Sequence, residues 1–94
     1  MPAKLKRSLT PTQRTEVIEK VNLALAKADD CGAMRWLGTL AAAEGMSKVA
    51  RQGGLDRRQL YRSVDGTREV KLNTAIKLVR GLGLHLLVSK SPQR

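Results

Sequence analysis

The stretch "GMSKVARQGGLDRRQLYRSVDG", residues 45–66, constrains this chain more than any other. It sets a small residue, Ala50, four positions before Gly54, and Leu60 six positions after it. Two short helices that cross steeply need a small side chain at their closest approach, which Ala50 supplies. The turn between them needs a positive φ, which glycine adopts cheaply. Val49 and Ala50 then face inward from the first helix and Leu60 and Val64 from the second, with Leu55 as a further anchor. This is helix-turn-helix spacing, over about residues 46–64. Asp56 is placed as the N-cap of the second helix, with Gln59 three residues on to complete a capping box. Asp65-Gly66 marks its stop.

The rest of the chain must supply what those helices pack on. Its 94 residues suit one small domain. Trp36 and Tyr61 are the only aromatic residues. The core is therefore Leu, Val, Ile, Ala and Met, which a helical bundle accommodates best. Thr10, Pro11 and Gln13 predict a capped helix start, followed by Val17, Ile18, Val21, Leu25 and Ala28 at helical spacing and an end near Ala28–Asp29. Asp29 or Asp30 caps a second helix, with Ala33, Met34, Leu37, Leu40 and Ala41 as its apolar stripe, Trp36 packed against the core and Gly45 as its stop. A last helix begins near Lys71 or is capped by Asn73, with Leu72, Ala75, Ile76, Val79 and Leu82 on its inner face. "LHLLV", residues 84–88, is strand-like. The expectation is an all-α fold of five short helices with one candidate terminal β-strand. Residues 1–9 form a basic flexible tail, 10–88 a single helical domain and 89–94 a C-terminal tail.

Charge narrows the function. The formal net charge is +10 and the pI about 10.7. Residues 1–45 contribute +2 and residues 46–94 contribute +8. The excess therefore lies in the half that holds the paired helices, which points to a localised face for a polyanion such as DNA or RNA. Cys31 is the sole cysteine, so no internal disulfide forms and a reducing cytoplasm is the expected compartment. No apolar run approaches a membrane span, and the basic start lacks the apolar stretch of a signal peptide. His85, the only histidine, has no companions at metal-ligand spacing. There is no nucleophile–base grouping, phosphate-cradling glycine loop or catalytic carboxylate pair. The expectation is a protein that is not an enzyme and uses no cofactor.

Within the helix-turn-helix spacing, the second helix is the one that enters a major groove. Leu60 and Val64 point toward the core, and Arg58 and Arg62 point roughly opposite. Arg57 stands at the helix start. Arginine suits bidentate contact with guanine and glutamine suits adenine. Arg57, Arg58 and Arg62 are therefore candidates for base edges or adjacent phosphates. Gln59 is a candidate for base or backbone, and Tyr61 for a phosphate. Ser47 and Lys48, at the start of the first helix of the pair, are candidate phosphate contacts; a cap and a solvated lysine are the alternative. Arg68 and Lys71 in the following loop can reach the backbone or remain exposed loop charge. Lys4, Lys6 and Arg7 can form a minor-groove arm or a plain tail.

"LALAKADD", "GMSKVARQGGLDRRQLYRSV" and "LVRGLGLHLLV" together carry a resemblance over about residues 16–88. The chain resembles Cro/CI-like helix-turn-helix domains and, more narrowly, is similar to the addiction-module antidote proteins. It departs from their usual pattern at Gly53, Ser63 and Lys71. The resemblance implies a DNA-binding antitoxin that represses its own operon and silences a small cognate toxin of the RelE-like, mRNA-cleaving kind, with the first two helices as one candidate toxin surface. Homodimers are expected from the motif, because one short helix reads few base pairs; their operator is then expected to be palindromic. "LHLLV" is the candidate dimerisation element, with a tail folded on its own domain as the alternative. Two other readings stand beside this one. The first is a free-standing phage or plasmid Cro-like repressor without a toxin. The second is an interaction module or RNA binder using its charge nonspecifically, against which the scarcity of aromatic residues for base stacking argues.

Overall fold

The computed structural model describes residues 9–67 and 69–90. It holds five helices: α1 (Pro11–Ala26), α2 (Asp30–Glu44), α3 (Met46–Gly53), α4 (Arg57–Val64) and α5 (Leu72–Gly81). The readings placed on Lys4, Lys6, Arg7 and Arg68, and on the tail beyond residue 90, lie outside the described residues. Leu9, which the sequence assigns to the tail, packs partly buried against the core.

The start of α1 is the capping box that its sequence predicts. Thr10 Oγ1 accepts from the Gln13 N–H at 3.1 Å, and Gln13 Oε1 accepts from the Thr10 N–H at 3.0 Å. Its end is a Schellman turn: Ala28 N–H donates to the Leu25 carbonyl at 3.0 Å and Asp29 N–H to Ala24 at 2.8 Å. That motif puts Ala28 at φ 60, the left-handed region glycine usually fills. Val17, Val21 and Ala24 are buried and Ile18 partly so. Leu25 and Ala28, expected on this face, are exposed, because the stripe runs through Ala24 and the helix has ended before Ala28.

Asp29 caps α2, its Oδ1 accepting from the Gly32 N–H at 2.9 Å. The expected stripe of Ala33, Met34, Leu37, Leu40 and Ala41 is buried in full. α2 packs against each of the other helices and forms the centre of the core. Trp36 lies half-buried against it, with Lys20 Nζ 5.5 Å from the ring centroid. Gly38 lets α4 close in: a Cβ there would stand 2.8 Å from Val64 Cβ.

Gly54 is left-handed at φ 77, as the turn between α3 and α4 requires. Its N–H donates to the Arg51 carbonyl at 3.3 Å, and Leu55 N–H donates to Ala50 at 2.8 Å. Ala50 thus supplies the carbonyl that closes the turn, and the Leu55 side chain is buried beside it. Val49 and Leu60 are wholly buried. Asp56 is the N-cap of α4 by backbone geometry, but its carboxylate makes no capping hydrogen bond, and the box expected with Gln59 is absent. Both side chains are exposed.

α5 is turned part of the way from its expected orientation. Val79 and Leu82 are buried and Ala75 partly so, as expected, but Thr74, Leu78 and Gly81 are buried with them, while Leu72 is 70% and Ile76 39% exposed. The cause is the crossing of α3 and α5, where Gly53 and Gly81 face each other. A Cβ on Gly53 would strike the Lys77 carbonyl oxygen, and one on Gly81 would strike that of Val49. Only glycines permit this approach, and it fixes which side of α5 faces in. The departure at Gly53 is thus a packing requirement. That at Ser63 is also accommodated: it is buried, and its hydroxyl donates to the Gln59 carbonyl at 2.8 Å. Lys71, the N-cap of α5, makes no side-chain cap bond.

The strand expected at 84–88 is not formed, and no strand occurs among the described residues. A strand needs a neighbour for its ladder. Leu84 packs against the core, and the segment beyond it makes no backbone hydrogen bond among the described residues. No described helix is long and apolar enough to cross a membrane.

Candidate nucleic-acid interface

α4 is an eight-residue helix with one side committed to the core. Leu60 and Ser63 are buried and Val64 partly so. Arg57, Arg58, Gln59, Tyr61 and Arg62 are all exposed. At about 100° per residue, Arg58 and Arg62 lie opposite the buried stripe. Arg57 and Tyr61 occupy one flank and Gln59 the other. The flank is organised: the Arg57 guanidinium sits over the Tyr61 ring and its Nη2 reaches the phenol oxygen at 3.4 Å. The outer face thus offers three guanidinium groups with no carboxylate ion-paired to them among the described residues.

Arg58, Gln59 and Arg62 line a cleft of about 490 Å³ between α4 and the start of α5. Lys71, a candidate backbone contact or exposed loop charge, lines the same cleft. Asp56, which the sequence places as the α4 N-cap, also lines it, as do Glu69 and Thr74, which the sequence did not assign to this place. No local pattern announces them. Thr74 arrives there because of how α5 is turned, and Glu69 from the loop that precedes it. The cleft lining is therefore mixed in charge.

Ser47 and Lys48 are exposed on the first turn of α3. Lys48 lines a different depression, of about 290 Å³, with Leu9, Arg14 and Glu44. It stands apart from the α4 cleft. Glu44 there is already paired with Arg14 at 3.1 Å. Among the described residues no group of acidic, histidine or cysteine side chains is arranged to hold a metal ion.

A profile of the family described as probable addiction module antidote protein matches residues 6–90. An uncharacterized protein of Haemophilus influenzae is 36% identical over 55 residues, which is 58% of this chain and 57% of that relative. The match thus spans little more than half the relative's length. No solved structure matches the chain. With the family profile covering nearly the whole sequence, the chain belongs to the family of probable addiction module antidote proteins.

Proposed function

We propose that this chain is the DNA-binding antitoxin of a toxin–antitoxin pair, with α3 and α4 acting as a Cro/CI-like helix-turn-helix. α4 enters the major groove of an operator in its own promoter and represses transcription. Arg58 and Arg62 face the base edges. Arg57 reaches a base or an adjacent phosphate along the flank it shares with Tyr61. Gln59 contacts base or backbone from the other flank. Ser47, Lys48 and Lys71 hold the phosphate backbone on either side. The protein works as a homodimer in the cytoplasm, by binding and without chemistry of its own. Its second partner is a small RelE-like toxin, which it silences.

The observation that carries the DNA reading is the exposure of three arginines on a short helix whose opposite side is held by Leu60, wholly buried. A helix anchored this way keeps its outer face in one orientation, which readout of base edges requires. Membership of an antidote family supports the toxin partner. The test is co-expression with the adjacent reading frame, then purification and promoter binding. A co-purifying small protein and a marked preference for the promoter over scrambled duplex are expected. Equal affinity for both duplexes, each falling steeply with salt, overturns specific repression. Absence of a neighbouring small reading frame removes the toxin and leaves a free-standing repressor.

A further inference from the structure

Residues 85–90 leave the fold. Leu84 donates its N–H to the Val79 carbonyl at 3.0 Å, and its side chain packs against the core. Beyond it no backbone hydrogen bond is made among the described residues. Exposure then climbs along the chain, to 79% at Leu87 and 95% at Val88. This tail is not folded back on its own domain. Its origin, however, is fixed. Gly83, at φ 79, closes a Schellman turn, and the Leu82 carbonyl accepts from Arg14 Nη2 at 3.2 Å.

The residues from Gly81 to Ser89 carry no Lys, Arg, Asp or Glu, the longest such run in the chain at nine positions. Two copies of a protein with net charge +10 repel each other. Along this run they can meet without setting cation against cation. Two other exposed apolar pairs have less freedom: Lys71 and Lys77 adjoin Leu72 and Ile76 on α5, and Lys20 and Lys27 lie within three positions of Leu23 and Leu25 on α1.

We propose that residues 84–88 of two copies lie antiparallel across a two-fold axis, pairing their backbone groups and burying Leu86 and Val88 on the face toward the two cores, with Leu87 set against the partner's His85 on the other face. Centred on Leu86, the pairing sets Val88 opposite the partner's Leu84. The most exposed apolar side chain thereby reaches the edge of the partner's core. The backbone groups left open in one chain are satisfied by the other, as in pairing between sheet edges. The purpose of the interface rests on the DNA reading above, because one α4 spans few base pairs and the reading surface is incomplete without a second copy.

Sedimentation equilibrium of the full chain, at low and high salt, tests this without DNA. A dimer is expected that tightens as salt screens the repulsion. The double variant Leu87→Asp, Val88→Asp is expected to weaken association about a hundredfold or more, with the helical circular dichroism unchanged because both side chains are exposed in the single chain. The double variant Leu72→Lys, Ile76→Lys is expected to remain dimeric. A monomeric wild type overturns the proposal, as does a Leu87/Val88 variant as dimeric as wild type, or loss of the dimer on the α5 change instead. A dimer that ignores the promoter leaves this interface standing and removes the DNA reading. A monomer that binds the promoter specifically does the reverse.

Discussion

The Arg57 guanidinium lies 5.4 Å from the centroid of the Tyr61 ring, one turn along α4, and its Nη2 is 3.4 Å from the phenol oxygen. That polar contact is long for a hydrogen bond, so the ring face is the greater part of the attraction. Tyr61 therefore serves first to hold Arg57 along the flank of the helix. Tyr61→Ala is expected to lower promoter affinity about two- to fivefold, the equivalent of the ~0.5–1 kcal/mol of an exposed cation–π pair. Tyr61→Phe keeps the ring and should sit close to wild type in the same titration. If Phe loses as much as Ala, the hydroxyl itself touches the phosphate backbone.

The Gly53–Gly81 crossing makes a stability prediction. Gly81→Ala would force its Cβ onto the Val49 carbonyl and within 3.1 Å of the Gly53 amide nitrogen. Backbone, not a flexible side-chain end, must give way. Despite alanine's better helix propensity, the substitution is expected to cost about 1–3 kcal/mol, as overpacking typically does. For a chain of this size each kcal/mol lowers Tm by about 4–8 °C. Gly54→Ala should also destabilise, by about 1–2 kcal/mol, through its left-handed φ alone, since nothing crowds its Cβ.

Ala28 presents the opposite case. It holds φ 60 at the end of α1 with a β-carbon in place. Ala28→Gly removes about 1–2 kcal/mol of left-handed strain and adds about 0.4–1 kcal/mol of unfolded-state entropy. The expected net gain is about 0.5–1 kcal/mol, read as a higher midpoint in urea at unchanged slope. Promoter affinity should not move, because α1 is remote from α4.

These glycines also show what a sequence can and cannot disclose. The α2 stripe was legible because every inward position is apolar, and large and small residues alternate at helical spacing. The paired short helices were legible because Gly54 and Leu60 are each required by one local geometry. The inner face of α5 was legible only in part, because Thr74 and Gly81 carry no hydrophobic signal and Leu72 and Ile76 carry a misleading one. Asp56 sits where a cap belongs, yet capping depends on a rotamer that spacing does not encode. The residues 84–88 have strand composition, but a ladder is a property of two segments. For the candidate site, the arginines of α4 were visible as a helical face. Their neighbours across the cleft, Glu69 and Thr74, depend on tertiary placement and were not.

Arg14 joins three elements, pairing with Glu44 at the end of α2 and donating to the Leu82 carbonyl after α5. Its side chain is 32% exposed, so solvent moderates the ion pair. Arg14→Ala is expected to cost about 1–2 kcal/mol, most of it from the charge-assisted bond to Leu82. Glu44→Gln should cost no more than about 0.5 kcal/mol. Thermal unfolding in low and high salt separates the two, since only the Glu44 contribution is expected to fade with screening.

The reading surface is tested by comparing two cations placed differently. Arg58 lies opposite the buried side of α4, where a groove-entering helix meets base edges. Lys48 stands on the first turn of α3, in a separate depression beside Glu44. Arg58→Ala is expected to cost about 1–3 kcal/mol on the promoter and to relax preference at one base pair. On random duplex it should lose only its share of nonspecific charge. Lys48→Ala is expected to weaken promoter and random duplex alike and to reduce the slope of log affinity against log salt by about one unit. Titrations of both variants on both duplexes across a salt series provide the comparison. If Arg58→Ala lowers the two affinities by the same factor, α4 is not the element that reads sequence. Its arginines are then phosphate contacts, equivalent to Lys48.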